Sequence, residues 1–337
     1  MEEKKLKAMV LAAGIGSRLE PLTTVLPKPL VNIAGRPVME HILLLLKKHG
    51  ITEIVSNTYH LAPKLHEYFS DIKEREGIDI KFVHEESLSG VAGGIRACRE
   101  HLRGSTVCII MGDALTNADL GKLLKAHEKA VRERDCKVTI AKMEVEDTTH
   151  FGVVVTDDKD RVINFQEKPK AHEALSKWAN TGIYFFEPEI LDMIPSLEEA
   201  PVYDVASDLF PKLLDSGVYM QAIAVDSNTY WADIGTPKQY IQTMKDIAAK
   251  KVHFDSFKPL IRTTKIDPAA RLIADNEIGE NTEIAAGAEI RDCVIWDNVK
   301  IAAGAKLREC VVISNVEISA NETHANKILV AEFPATV

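Results

Sequence analysis

A seventeen-residue repeat near the C-terminus restricts the fold of this chain more than any other feature. Ile278-Gly-Glu-Asn-Thr-Glu-Ile284, Ile295-Trp-Asp-Asn-Val-Lys-Ile301 and Val312-Ile-Ser-Asn-Val-Glu-Ile318 align at an offset of 17, with Asn281, Asn298 and Asn315 in register. The next stretch repeats as well, in Ile284-Ala-Ala-Gly-Ala-Glu-Ile290 and Ile301-Ala-Ala-Gly-Ala-Lys-Leu307. Aliphatic residues therefore recur every six positions, the rhythm of a parallel β-helix. Each aliphatic is expected to point inward, with Asn and Gly at the corners because they tolerate left-handed backbone. The repeat predicts about three coils within residues 271–330. So short a stack leaves flat faces uncovered, and association with further copies is expected. Cys293 and Cys310 fall at equivalent positions of adjacent coils. Strand spacing brings such residues within roughly 5 Å, and stacked reduced thiols are expected there rather than a disulfide.

The first two-thirds read differently. Strand and helix patterns alternate, as in an α/β sheet. Strands are predicted over 7–13, 51–56, 79–83, 106–111, 137–143, 152–156, 162–166, 182–186 and 219–225. Helices are predicted over 37–48, 62–76, 92–101, 119–134, 204–215 and 236–250. Pro37 opens the first helix and Gly50 closes it, the usual asymmetry of helix ends. Asp119 is expected to cap its helix. Residues 251–270 show no strong period and read as a linker. The organisation is thus a Rossmann-like domain with a mixed sheet over 1–250, the linker, and a short β-helix over 271–330.

Composition excludes several classes of function. The chain has 337 residues, 46% apolar and 27% charged, with a formal charge of −9. Nucleic-acid binding needs a basic surface, so no nucleic-acid partner is expected. An anionic substrate must be held by local cations instead. The longest apolar run, Ile42 to Leu46, is far too short for a bilayer, and no membrane partner is expected. Five cysteines, an odd number, and a start without an apolar leader point to reduced thiols in the cytoplasm.

Local cations appear in the stretch Leu11 to Leu30, LAAGIGSRLEPLTTVLPKPL, which follows the apolar run ending at Leu11. Gly14 and Gly16 allow tight turns and close backbone approach to a ligand. Arg18 and Lys28 add two positive charges beside exposed backbone amides. Such a loop suits a polyphosphate. It is not a P-loop, because no Lys-Ser or Lys-Thr follows the glycines. It is a poor dinucleotide fingerprint, because Leu19 stands at the third glycine position.

The whole string closely resembles the signature of sugar-1-phosphate nucleotidyltransferases, the NDP-sugar pyrophosphorylases, with Ser17 in place of the usual Thr. Their reaction joins a sugar 1-phosphate to an NTP and releases pyrophosphate. The resemblance implies that Arg18 grips the β- and γ-phosphates and that Lys28 sits nearer the α-phosphate and the attacking phosphate. It implies that Asp113, in Met111-Gly112-Asp113, and Asp233, in Trp231-Ala-Asp-Ile-Gly-Thr236, bind Mg2+. It assigns the nucleotide to the backbone of Leu11, Ala12, Ala13, Gly14, Gly16 and Ser17, with Gly90 in the loop Leu88-Ser89-Gly90-Val91-Ala92-Gly93-Gly94. That loop departs from the family's L-G-T-A-G at Ser89 and Val91.

Glu85 could accept from guanine N1–H and N2–H, which tilts the base toward guanine. Glu167 and Lys168, in a Glu-Lys-Pro motif, Gly152, and the pair Asn180-Thr181 are assigned to the sugar phosphate by the same resemblance. Catalysis is thereby assigned to Arg18, Lys28, Asp113, Lys168 and Asp233. The resemblance is greatest to mannose-1-phosphate guanylyltransferases carrying a left-handed β-helix. A glucose-1-phosphate uridylyl- or thymidylyltransferase and a non-catalytic regulatory subunit are the alternatives. A homo-oligomer formed through the β-helix is the expected assembly.

Overall fold

The computed structural model describes residues 5–252, 254–257, 263–274 and 276–330, with Ala248 described by its backbone. The chain divides into two compact units. One comprises Met1–Gly14, Ile42–Gly112 and Thr116–Trp231; the other comprises Ile15–His41, Asp113–Leu115 and Ala232–Val337.

The first unit is built on a nine-stranded mixed sheet. In chain order its strands are Lys5–Leu11 (β1), Glu53–Thr58 (β2), Asp79–His84 (β3), Ser105–Met111 (β4) and Val138–Glu144 (β5). Gly152–Thr156 (β6), Val162–Glu167 (β7), Trp178–Phe186 (β8) and Met220–Ala224 (β9) complete it. The spatial order is β7-β6-β8-β4-β1-β2-β3, and β5 pairs with both β8 and β9. Strands β3, β2, β1 and β4 run parallel. Ala8, Met9 and Val10 of β1 have no exposed surface, as expected of a parallel strand covered on both faces.

The chain leaves β1 toward β2 on one side and is joined by β4 on the other, so the strand order reverses between β1 and β4. Open α/β sheets bind ligands at such a reversal, beyond the C-terminal strand ends. Leu11 and Met111 are paired there. The Gly112 amide donates to the Leu11 carbonyl at 2.8 Å.

Four helices differ from their expected form, each for a local reason. The 62–76 stretch is two helices, Ala62–Tyr68 and Ile72–Glu76, because the buried Phe69 and the Ser70 hydroxyl, which donates to the Glu67 carbonyl, close the first. The next helix starts earlier, at Gly90, and ends at Ala97; Arg99–Leu102 follows separately. Over 204–215 a π-turn, Val205–Leu209, precedes the α-helix Phe210–Asp215. Pro211 has no amide hydrogen to continue an ordinary ladder through that turn. The last helix is Pro237–Ala248, shorter at its end than 236–250. Asp119 caps Leu120–Arg134 as expected, accepting from the Lys122 amide at 2.9 Å.

The second unit carries the β-helix as three parallel four-stranded sheets. The first face holds Lys265–Ile266, Glu283–Ile284, Lys300–Ile301 and Glu317–Ile318. The second holds Arg271–Ile273, Glu289–Arg291, Lys306–Arg308 and Thr323–Ala325. The third holds Glu277–Ile278, Val294–Ile295, Val311–Val312 and Ile328–Leu329. Each sheet thus stacks four coils, one more than the repeat predicts. Lys265 pairs with Glu283 and Arg271 with Glu289, an offset of 18, whereas Glu277 pairs with Val294 at 17. One extra residue breaks the period in the first coil, so it does not align with the others.

Asn281, Asn298 and Asn315 have φ of 54, 59 and 66°, and Gly287 and Gly304 turn the other corners at 69 and 73°. Ile284, Ile290, Ile295, Ile301, Leu307 and Ile318 are buried inside. The third face is tied to the helix Pro237–Ala248. Lys245 Nζ lies 3.0 Å from Asp292 Oδ1, and Trp296 Nε1 donates to the Tyr240 hydroxyl at 2.8 Å. Cys293 and Cys310 are free and buried, as are the other three cysteines. No helix among the described residues is long and apolar enough to cross a membrane.

Candidate active site

Within the second unit, three of the predicted residues converge. Lys28 lies in a single turn of 3-10 helix, Lys28–Leu30, flanked by Pro27 and Pro29. Its ammonium donates to Asp113 Oδ2 and, at 3.1 Å, to Asp233 Oδ1. The Ile234 amide donates to the Asp113 carbonyl at 3.2 Å, which holds the two aspartate segments side by side. The Lys28 side chain is 8% exposed, while those of Asp113 and Asp233 are 22% and 27% exposed. Burial by itself pulls the Lys28 pKa down. The charges and hydrogen bonds of Asp113 and Asp233 outweigh it, and the ammonium is held above its ordinary value. Lys28 is therefore charged at neutral pH, and the cluster carries a net charge of about −1.

The preceding loop is shaped for this placement. Gly16 has φ of 73°, and a Cβ there would lie 2.8 Å from Thr23 Cγ2 and 3.2 Å from Lys28 Cβ. The Thr23 hydroxyl donates to the Gly16 carbonyl at 2.9 Å and closes the turn. Gly235 plays a matching part near Asp233, since a Cβ there would fall 2.6 Å from Asp233 Oδ2. Ser17 and Arg18 are exposed. Arg18 has no protein partner among the described residues, which leaves its guanidinium free for a ligand.

A divalent cation fits the donor set. Two carboxylates converge on one cationic position and outweigh the charge of Lys28. Among the described residues no three His, Cys, Asp or Glu side chains could enclose a metal ion. Mg2+ favours such sparse sites, taking one or two carboxylates and completing its shell with water and phosphate oxygens.

Within the first unit, a second polar cluster appears at the C-terminal end of β1 and β2. Asn57 Oδ1 accepts from the Ala12 amide at 3.0 Å, and Asn57 Nδ2 donates to Glu85 Oε1 at 2.7 Å. The Ser89 hydroxyl donates to Glu85 Oε2. Asn57, Glu85 and Ser89 are all buried. Glu85, expected to read a base, thus has each oxygen on a protein donor. It anchors Asn57, which anchors the loop. Ser89, the departure from the family's glycine, is explained by the same contact. The Ala12 amide is taken by Asn57, and the Leu11 carbonyl by the Gly112 amide. Gly90 has φ of 78°, and a Cβ there would meet the Tyr203 carbonyl oxygen at 2.6 Å.

Asn57 was not singled out in the sequence. The signal was present: Ser56-Asn57-Thr58 places three polar residues at the end of an otherwise apolar strand.

The residues assigned to the sugar phosphate lie on β6, β7, β8 and just beyond. Glu167 pairs with Gly152 across β7 and β6. Lys168 Nζ sits 3.1 Å from Glu167 Oε1, both side chains being exposed. Asn180 and Thr181 turn toward the protein. Asn180 Nδ2 donates to the Tyr184 hydroxyl at 2.8 Å, and the Thr181 hydroxyl donates to the Ala141 carbonyl at 2.8 Å.

Sheet order and strand reversal define an α/β protein of the Rossmann-like class, followed in the chain by a β-helix. Residues 7–250 match the family model "Nucleotidyl transferase", and residues 269–325 match "GlmU-like, C-terminal hexapeptide". The chain belongs to the nucleotidyl transferase family. It is 40% identical over 260 residues to a UTP--glucose-1-phosphate uridylyltransferase of Synechocystis sp., covering 73% of this chain and 64% of that protein. It is 32% identical over 304 residues to a mannose-1-phosphate guanylyltransferase of Mycobacterium tuberculosis, covering 87% of this chain and 80% of that one. A solved chain from Bacillus anthracis, in complex with a sucrose, superposes with a TM-score of 0.64 at 22% identity. It covers 74% of this chain and 98% of its own length, a likeness of fold.

Proposed function

We propose that this protein joins a sugar 1-phosphate to a nucleoside triphosphate, giving an NDP-sugar and pyrophosphate. The observation that carries the reading is the convergence of Lys28 with Asp113 and Asp233, which lie 85 and 205 positions from it in the chain. A phosphate monoester is already a competent nucleophile at neutral pH. The chain therefore needs to align two polyanions and neutralise the leaving group, without a general base. Arg18, exposed and without a protein partner among the described residues, binds the departing β- and γ-phosphates. Lys28, charged and held by two carboxylates, screens the α-phosphate. Asp113 and Asp233 would hold Mg2+, which would supply positive charge to the phosphate oxygens. Gly152, Glu167 and Lys168 offer a backbone amide, an acceptor and a cation to the sugar phosphate.

The first substrate pair to test is GTP with mannose 1-phosphate. The guanylyltransferase relative aligns over 87% of the chain, more than the uridylyltransferase relative does at 73%. UTP or dTTP with glucose 1-phosphate is the second reading, favoured by the 40% identity of the latter. A regulatory, non-catalytic role is opposed by the intact charged cluster. The β-helix is assigned to self-association, and the cytoplasm suits five buried free thiols. A matrix of five NTPs against several sugar 1-phosphates, read by pyrophosphate release with Mg2+ present, tests the reading. Release from one pair well above the others supports it; no release from any pair refutes the enzymatic role.

A further inference from the structure

The three faces of the β-helix are not equivalent. The third is engaged by the helix Pro237–Ala248 through Lys245–Asp292 and Tyr240–Trp296. On the first two, the outward columns differ in charge order. On the first face the exposed column reads Lys265, Glu283, Lys300, Glu317, alternating positive and negative down four coils. Lys265 Nζ lies 2.8 Å from Glu283 Oε1, and Lys300 Nζ lies 2.6 Å from Glu317 Oε1. Beside this column stand Ala285 and Ala302, whose side chains end at Cβ and leave a groove of about 690 Å3 along the face. On the second face one column runs Ile273, Arg291, Arg308, Ala325.

We infer that the first face is a contact between two copies of this chain, running antiparallel about a two-fold axis between the second and third coils. The inference rests on the proposal that the β-helix mediates association, and it names the face and the arrangement. A two-fold contact sets each residue against its symmetry partner. Reversing the column Lys-Glu-Lys-Glu gives Glu-Lys-Glu-Lys. Lys265 then faces Glu317 of the other copy, and Glu283 faces Lys300, so all four positions are matched. If the columns ran parallel, each residue would face itself, with four like-charge contacts. The second face matches only in part: its column Arg271, Glu289, Lys306, Thr323 sets Glu289 against Lys306, but the antiparallel arrangement also sets Arg291 against Arg308. Single exposed ion pairs contribute little, and their attraction is screened by salt. The face is also narrow, so the contact belongs to the small, weak class of interfaces. It specifies orientation more than strength.

Disulfide trapping in the full chain tests this. Lys265 and Glu317 lie three stacking steps apart, about 14 Å, too far to bridge within one chain. The five native cysteines are buried and do not compete. Under mild oxidation the double variant Lys265→Cys/Glu317→Cys should give a covalent dimer, while neither single variant should. Dimers from either single variant at the same rate would mean parallel columns and overturn the arrangement. A pair on the second face, Arg271→Cys/Thr323→Cys, separates the two levels of the argument. Trapping there alone removes the first face but keeps self-association through the β-helix; trapping at neither face removes both. A charge swap gives a second readout in sedimentation at low salt. Glu283→Lys should weaken association at least tenfold, and adding Lys300→Glu should restore it; failure of that restoration also overturns the arrangement.

Discussion

Glu85 and the pair Asp113–Asp233 are carboxylates at or just beyond the ends of strands, yet their surroundings divide them. Glu85 is 6% exposed and gives its two oxygens to neutral protein donors, Asn57 and Ser89. Asp113 and Asp233 are about a quarter exposed and share one ammonium. In the first arrangement each carboxylate oxygen already accepts from a protein donor. The second is open, because the carboxylates face solvent and outnumber the cation they hold. Buried polar groups with complete partners fix a backbone. Exposed carboxylates with surplus charge can exchange their partner for a metal ion or for water. The family resemblance assigns both sets to substrate; the contacts tie one to protein donors and leave the other partly exposed.

The strongest way to break this comparison is Asp113→Asn. It removes one of the two charges while keeping the shape. Turnover should fall about 10³-fold, the scale of losing a key electrostatic group, measured as pyrophosphate release at saturating Mg2+. Near-normal turnover would remove Asp113 from the reacting centre.

Lys28→Met comes next. Without the ammonium, two carboxylates face each other unscreened. Turnover should drop about 10²-fold. Stability should fall by about 1–2 kcal/mol in the absence of Mg2+, read as a lower melting temperature, and Mg2+ should restore part of it. A melting curve indifferent to Mg2+ would contradict the open character of the cluster.

Asn57→Ala tests the closed cluster. It leaves the Ala12 amide and Glu85 Oε1 without their partner, which costs about 2 kcal/mol. The KM for the NTP should rise several-fold through the loosened Leu11–Gly14 strand end, with kcat changing less. Equal losses in kcat and kcat/KM would instead put Asn57 in the transition state. The smallest effect is expected from Ser89→Ala, about 1 kcal/mol in denaturant unfolding, with base preference unchanged. A switch of preferred NTP in that variant would return Glu85 to the role of a base reader.

Much of this architecture was legible from local pattern. The strand and helix alternation located all nine sheet strands, with ends displaced by a few residues at most. The repeat located three coils but not the fourth, because one inserted residue at the first coil shifts its register from 17 to 18. The Gly16 turn was readable because only glycine fits its conformation and its crowding against Thr23 and Lys28. Asn57 escaped notice because its partners lie 45 and 28 positions away. Asn180 is named for the sugar phosphate by the resemblance, yet its side chain turns to the Tyr184 hydroxyl four positions away, across a kink in β8 at Gly182 with φ of 74°.

Periodicity and backbone preference over a few neighbours are enough to set the elements, the repeat and the residue types available for polyphosphate chemistry. The tertiary structure alone decided the partner each charged group takes. Lys28 meets Asp113 and Asp233 across 85 and 205 residues. Whether a carboxylate is spent on the protein or left for substrate depends on which donors the fold brings within hydrogen-bonding distance, and distant chain segments supply them.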